Sequence, residues 1–323
     1  MKLYKLLPLI GFAILFYLLF NVDIYKVIQI ITAMQIEYLL LSIPLIFLML
    51  ILKALKWKVI VHSYNISFSL IDSLKAWLIG FSLSIITPGK LGDFARSYYL
   101  KDKTRLGKSL TTVMADRIID IVVLFVLSII GLFLFFSYYS KSEFLLLITS
   151  GFFVIFLIAT LAFSKKSFSS LIFKPFYKRF LPNRYKDKIK SFWDDFYEGI
   201  SIMLKKKKLI SFSFMITFVI WFVTIFYAFV LSFAFSLNIS YWFLLIVMPI
   251  VGLILALPIS FGGIGTREAA IIFFLSFIGI TAEVAFSFSI LMLIVDYMIG
   301  LIGFLIWLKN PIKISEKDKP QNI

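Results

Sequence analysis

The sequence predicts an all-α polytopic membrane protein, with about six full transmembrane helices and two glycine-broken hairpins related as an inverted repeat. Three observations predict it. Of the 323 residues, 61% are hydrophobic and 15% charged, and the mean hydropathy of +1.01 lies far outside the soluble range. Apolar runs close to the ~20 residues that a bilayer requires recur along the chain. Two of these runs are interrupted, at matching places in the two halves, by glycines and then charges: TPGKLGDFAR at 87–96 and SFGGIGTRE at 260–268.

Composition also excludes functions. There is no cysteine and a single histidine, His62, so disulfides, thiol chemistry, His-rich metal sites and His relays have no material. No Gly-x-x-x-x-Gly-Lys-[Ser/Thr] phosphate loop and no Ser-His-Asp set occurs. The chain is therefore not expected to be an enzyme or an ATP-driven motor, and neither a metal nor a cofactor is expected. The net charge of +16 reads as the positive-inside rule and attraction to anionic lipid rather than as nucleic-acid binding.

The elements follow in order. Lys2 and Lys5 precede an apolar run, 6–20, with no small-x-small cleavage site after it. It is read as the first span, with a cytoplasmic N-terminus, and 21–37 as an outside connector. The second span, 38–55, ends in Lys53, Lys56 and Lys58 around Trp57, read as interface anchors. The first hairpin, about 70–108, has an apolar entry and a basic exit: residues 87–108 hold six Lys or Arg and two acids, which belong in the cytoplasm. A third span, 118–136, starts beside Asp116, Arg117 and Asp120. The two acids are four apart on one helix face, and Arg117 can pair with Asp120 three residues on.

A fourth span, 144–163, completes the first half. Residues 164–208 carry thirteen Lys or Arg against four acids, a net of +9, with apolar residues at helical spacing (Ile189, Phe192, Trp193, Phe196, Ile200, Met203). This linker is expected to be an amphipathic helix on the anionic cytoplasmic leaflet. The second half, 209–308, holds a span at 210–235, a hairpin at about 242–280 and a last span at 285–308, followed by the Lys-rich tail 309–323. The whole forms one membrane domain of the cell membrane, with both termini cytoplasmic. Each hairpin is either re-entrant or a pair of spanning arms. Asn65-Ile-Ser67 and Asn238-Ile-Ser240 match the glycosylation pattern, but Asn65 falls inside on this topology.

The two glycine elements share a [Ser/Thr]-x-Gly-x-[Leu/Ile]-Gly pattern. Thr87 stands on Ser260, Gly89 on Gly262, Leu91 on Ile264 and Gly92 on Gly265. Paired interruptions of this kind point to a transporter site. Half-helices starting near Leu91 and Ile264 would aim N-terminal amides at an anion, with Arg96 and Arg267 adding bidentate contacts. Gly263 and Lys90 belong to the same elements. Glu268 reads as a counter-ion of Arg267, and Asp93, Asp116 and Asp120 as holders of a cationic head group or relays of protons. Asp296 is a lone acid deep in the last span, and Arg267 is its expected partner.

TPGKLGDFAR, then ADRIID, then SFGGIGTREAA resemble the transmembrane region of lysylphosphatidylglycerol synthetases, a flippase-like membrane family; the resemblance runs over roughly 53–308. Gly89, Gly92, Asp93, Arg96, Arg117, Asp120, Gly262, Gly263, Gly265, Arg267 and Glu268 match its motif positions. Lys90 stands where arginine is commoner, and Asp116 where glutamate is. The soluble aminoacyl-transferring domain has no counterpart in these residues, so the likeness is to the stand-alone form. The resemblance implies movement of an anionic lipid between leaflets: an aminoacylated phospholipid or a polyprenyl-phosphate lipid. One alternative is a non-transporting partner that presents lipid to a glycosyltransferase or another lipid-modifying enzyme, docked through the 164–208 segment. Another is an enzyme acting on lipid phosphates through Asp116 and Asp120.

Overall fold

The computed structural model describes residues 9–139 and 186–309, with isolated positions at 151, 154, 155, 158 and 311. The expected span 144–163, most of the linker before 186 and the tail beyond 309 lie outside the described residues. Among the described residues the regular elements are all helical. They are α1 (Leu9–Asn21), α2 (Ile24–Thr32), α3 (Ile36–His62), α4 (Leu70–Ile85), a 3₁₀ stretch (Pro88–Leu100), α5 (Leu106–Tyr139), α6 (Lys186–Lys205), α7 (Lys207–Phe233), α8 (Tyr241–Ala256), α9 (Thr266–Ser276) and α10 (Ala282–Lys309).

Four helices, α3, α5, α7 and α10, are long and apolar enough to cross a bilayer. The chain is a multi-pass membrane protein. Their outward faces expose Phe47, Phe133, Met215 and Leu305, a band of apolar side chains that suits lipid rather than water. The expected first span differs: α1 has 13 residues and turns by 90° into α2, so the pair makes one further span only if counted together. The 21–37 connector is thus largely helical; Asp23 starts α2 by accepting from the Lys26 amide at 3.2 Å.

The two halves use their elements alike. Span α3 and span α7 pack against each other and run antiparallel. The start of α3 meets the end of α7 through Gln35 N donating to Ala234 O at 2.8 Å, while Thr224 donates to Met49 Sδ at 3.1 Å half-way along. Helices α4 and α8 each have 16 residues and each follow a serine N-cap, Ser69 and Ser240. Each lies on the span that follows the glycine break of the opposite half. Helix α4 packs on α10, where Gly303 admits the Leu78 carbonyl, and α8 packs on α5, where Gly131 admits the Ile246 carbonyl. This exchange of partners interlocks the halves around a core of Phe135, Leu231, Leu244, Ile271 and Phe288.

The breaks that follow α4 and α8 are built differently. After α4, Thr87 Oγ1 donates to Leu83 O at 2.9 Å and accepts from Gly92 N at 2.7 Å, folding the chain back onto its own helix. Gly92 is needed there, since a Cβ would overlap the Leu83 carbonyl. Gly89 and Lys90 both take left-handed backbone, with φ of 62° and 57°. After that kink helical backbone resumes at Leu91, as expected, but as a 3₁₀ arm and not an α-helix. After α8, the chain runs irregularly to α9, and Gly265 (φ 78°) lies against the Gly11 carbonyl of α1, where no side chain fits. Gly11 N also donates to Ile259 O at 3.0 Å, so α1 is docked on the second break.

Helix α6 turns part of its apolar face into the protein. It lies along the first turns of α5, with Phe196 buried and Met203 packed towards Ile60, Ala115 and Ile119. Arg105 and Lys108 clasp it through Asp195 (2.9 Å) and Glu198 (2.6 Å). Beside this clasp, burial pushes the Tyr64 phenol up to about 12, against the opposing effect of its 2.7 Å hydrogen bond to Thr111.

Candidate functional site

The charges around the first break pair among themselves. Asp93 Oδ2 accepts from Arg96 Nη2 at 2.9 Å and from Arg117 Nε at 2.5 Å. Arg96 also reaches Asp116, and Lys56 Nζ lies 2.8 Å from Asp116 Oδ1 while bonding to Asp120. Lys56, Asp93, Arg96 and Asp116 are each at most 1% exposed. Ions buried this deeply lose hydration worth several kcal/mol each, a cost that only close opposite charges offset. The Arg96 guanidinium also lies 5.2 Å from the buried Trp57 ring, a cation–π contact.

Three sequence expectations change here. Arg117 pairs with Asp93, not with Asp120, because α5 turns its guanidinium towards the 3₁₀ stretch. Arg96 is enclosed by two carboxylates and cannot offer a fork to a phosphate without breaking them. Lys56 is not an interface anchor but the centre of an ion triad. Its signal was readable: Lys53, Lys56 and Trp57 share one face of an otherwise apolar span, and intramembrane charge faces the interior.

The second break carries a thinner set. Arg267 Nη2 bonds Asp296 Oδ2 at 2.6 Å, tying α9 to α10 as the lone acid in the last span suggested. Glu268 is not that arginine's direct partner. Its Oε2 accepts from the Gly265 amide at 2.6 Å and its Oε1 from Ser289 at 3.3 Å, so it caps its own helix. Ser260 and Thr266 hydroxyls share a bond of 2.9 Å. The amides at Gly92 and Gly265, expected to await an anion, are thus taken by Thr87 and Glu268. Arg267 Nε and Tyr227 Oη remain buried without a hydrogen-bond partner among the described residues.

The two breaks meet. A methyl group on Gly89 would touch Pro258 at 3.3 Å, and one on Gly262 would touch Ile85 at 3.2 Å. Gly89 of the first break therefore abuts Pro258 before the second, and Gly262 of the second abuts the end of α4. Asp93, Arg96, Asp116, Arg117 and Asp120 stand on one side, and Gly263, Arg267, Glu268 and Asp296 on the other. Among the described residues no three His, Cys, Asp or Glu side chains gather in a way that could hold a metal ion.

The profile of the family described as "Lysylphosphatidylglycerol synthase TM region" matches residues 6–303. The chain belongs to this family. Among its relatives, UPF0104 membrane proteins are similar over most of their length. One from Methanothermobacter thermautotrophicus is 24% identical over 268 residues, covering 77% of this chain and 78% of the relative. One from Pyrococcus horikoshii is 24% identical over 274 residues, covering 79% and 82%. One from Methanocaldococcus jannaschii is 28% identical over 245 residues, covering 73% and 99%. No solved structure matches the chain. The synthase TM-region profile spans both breaks and both charge sets, so the paired interruption belongs to the matched region and not to an appended segment.

Proposed function

We propose that this protein moves an anionic, phosphate-bearing lipid between membrane leaflets. The observation that carries the reading is the meeting of two glycine breaks, from antiparallel halves, beside charges inside a membrane protein. A broken helix leaves polar backbone that lipid cannot satisfy, and such backbone is tolerated where protein or a polar guest covers it. Helices α4 and α8, at 16 residues, rise about 24 Å, and α9, at 11 residues, about 16 Å. These lengths fall short of the ~30 Å hydrocarbon core, which supports re-entrant hairpins over spanning ones. The Lys-rich stretches support cytoplasmic termini in the cell membrane, and membership of a synthase TM-region family supports a lipid as cargo. The cargo is an anionic phospholipid or a polyprenyl-phosphate lipid, moved downhill or with a coupled ion and without covalent chemistry by this chain.

The partner alternative would dock through the basic 164–208 segment, of which residues 186–208 are described. The test is reconstitution into liposomes that carry a fluorescent head-group-labelled phosphatidylglycerol, with quencher added outside. Wild-type protein is expected to bring inner-leaflet label out faster than empty vesicles, and Arg267→Ala to lose that gain. No acceleration for phosphatidylglycerol or a polyprenyl-phosphate probe would overturn the reading.

A further inference from the structure

The second break leaves several donors unused. Three amides of its turn are taken: Ile264 N donates to Phe261 O at 3.0 Å, Gly265 N to Glu268 Oε2 at 2.6 Å and Arg267 N to Gly263 O at 2.9 Å. The Gly262 and Gly263 amides donate to no described residue. Arg267 Nε is buried without a partner, and Tyr297 Oη forms no hydrogen bond with a described residue.

These donors gather around one turn. Gly262 and Gly263 are consecutive and both left-handed, with φ of 57° and 88°. Successive amides in a turn of this kind form a concave, positively polarised nest for an anion. A Cβ built on Gly263 would lie 3.7 Å from Arg267 Nε, and one built on Gly262 would lie 3.4 Å from Tyr297 Oη. The two side-chain donors therefore face the glycine α-carbons, beside space that a side chain would take. Asp296 holds the guanidinium through Nη2 at 2.6 Å, which leaves Nε turned towards Gly263. Arg267 is buried, but Tyr297 and the Asp296 side chain are each 38% exposed, so the turn is reached from the open face of α10.

Buried donors without acceptors are costly, and such groups in a folded protein call for an explanation. One water offers two lone pairs to these four donors. A phosphate offers several oxygens and the negative charge that a guanidinium edge and a nest both favour. We propose that the Gly262–Gly263 turn, Arg267 Nε and Tyr297 Oη form a seat for a phosphate group. Asp296 is then a positioning residue: it fixes one edge of the guanidinium so that the other faces the guest. The amide at the start of α9 takes no part, because Glu268 already caps it. Tyr297 belongs to no glycine motif and carries no charge, and only the packing of α10 brings it to the turn. Assigning the phosphate to a lipid head rests on the translocation reading; the seat itself does not.

The test uses the full chain in dodecyl maltoside. Binding of dioctanoyl phosphatidylglycerol, of dioctanoylglycerol, which lacks the phosphate, and of inorganic phosphate is measured for wild type, Tyr297→Phe, Arg267→Lys and Tyr138→Phe. Tyr138 lies 75% exposed at the far end of α5 and serves as the comparison hydroxyl. Wild type and Tyr138→Phe should bind phosphatidylglycerol alike and in preference to dioctanoylglycerol. Tyr297→Phe should weaken phosphatidylglycerol by about tenfold, since it removes a hydrogen bond to a charged group. Arg267→Lys keeps a cation for Asp296 but has no Nε, and should weaken it by about tenfold or more. The thermal midpoint of Tyr297→Phe should stay level with wild type, because no hydrogen bond to a described residue is lost; this separates loss of the seat from loss of the fold. Inorganic phosphate that displaces phosphatidylglycerol would support a seat that also takes free phosphate, and phosphate that fails to displace a variant-sensitive lipid would support one for lipid-borne phosphate. Unchanged phosphatidylglycerol affinity in Tyr297→Phe or in Arg267→Lys, or equal binding of dioctanoylglycerol by wild type, would overturn the seat. In liposomes, transport by wild type at a rate that Tyr297→Phe and Arg267→Lys both match sinks the seat and leaves translocation standing. Binding that both variants weaken, without transport by wild type, does the reverse.

Discussion

Around the first break, three bases and three acids form one connected set of ion pairs, most of it out of reach of solvent, in which Asp93 Oδ1 and Arg96 Nε and Nη1 have no hydrogen-bond partner among the described residues. Around the second, a single pair, Arg267–Asp296, has its acid side chain 38% exposed, and two donors, Arg267 Nε and Tyr227 Oη, lie buried with nothing to bond. The two motifs share Thr87/Ser260, Gly89/Gly262, Leu91/Ile264 and Gly92/Gly265, but Asp93 and Arg96 fall on Thr266 and Ala269, so the contrast arises from the breaks' own charges as well as from what surrounds them. The first break draws Lys56 from α3 and three charges from the start of α5. The second draws one charge from α10 and spends its own glutamate on a helix cap. The two breaks therefore differ in how many ion pairs they hold and how deeply those pairs are buried, and they should fail in different ways.

The largest effect should come from breaking the connected set. Arg96→Leu leaves Asp93 and Asp116 buried with fewer counter-charges, and removal of one member of a buried ion set costs about 3–5 kcal/mol. The variant should unfold far below wild type in detergent-solubilised thermal scans; a midpoint within a degree or two would show that the first set does not hold the fold together. The next effect compares the glycines. Gly92→Ala drives a methyl into the Leu83 carbonyl, and Gly265→Ala adds left-handed strain to a clash with Gly11 O, whereas Gly279 (φ 75°) faces open space. Overpacking costs about 1–3 kcal/mol, so both should lose clearly more thermal stability than Gly279→Ala, which carries strain alone. Equal losses at all three would mean that the close approaches relax at little cost.

Much of the fold was legible. Hydropathy located α3, α5, α7 and α10, because a membrane crossing leaves a long apolar run that nothing else produces. The repeat was legible through Gly89 on Gly262 and Gly92 on Gly265, since only glycine fits a carbonyl against a backbone. Pairing was harder. Asp296 pointed to Arg267 because a lone intramembrane acid needs a base, and few were near in the chain. The Arg117–Asp120 pairing failed because helical spacing states which side chains could meet but not which distant carboxylate competes; Asp93, 24 positions away, wins. Lys56 was read as an anchor because three lysines beside a tryptophan look like an interface whether they face lipid heads or the interior. The docking of α1 on the second break depends on Gly11 meeting Gly265, a contact between distant segments that periodicity cannot reveal.

Two smaller effects probe the second break and the tip of the first. Asp296→Asn keeps shape and a hydrogen-bond acceptor for Arg267 while removing a partly exposed charge, so its stability cost should be about 1 kcal/mol or less. The transport assay should respond much more strongly than the thermal midpoint, by about tenfold or more, if the pair works in function rather than in folding. A fall in both by the same proportion would place Asp296 with the ion pairs of the first break instead.

The smallest effect has the opposite sign. Lys90 holds a left-handed backbone and forms no ion pair with a described residue to set against that strain. Lys90→Gly removes the strain, and the relief of about 1 kcal/mol should raise the thermal midpoint by roughly 2 °C. If the lysine is kept for its charge, this more stable protein should transport and bind anionic lipid worse than wild type, the stability–activity trade expected where a site stores strain. A midpoint that falls on Lys90→Gly would show instead that the side chain stabilises the fold, and would place Lys90 with the ion-paired charges of the first break.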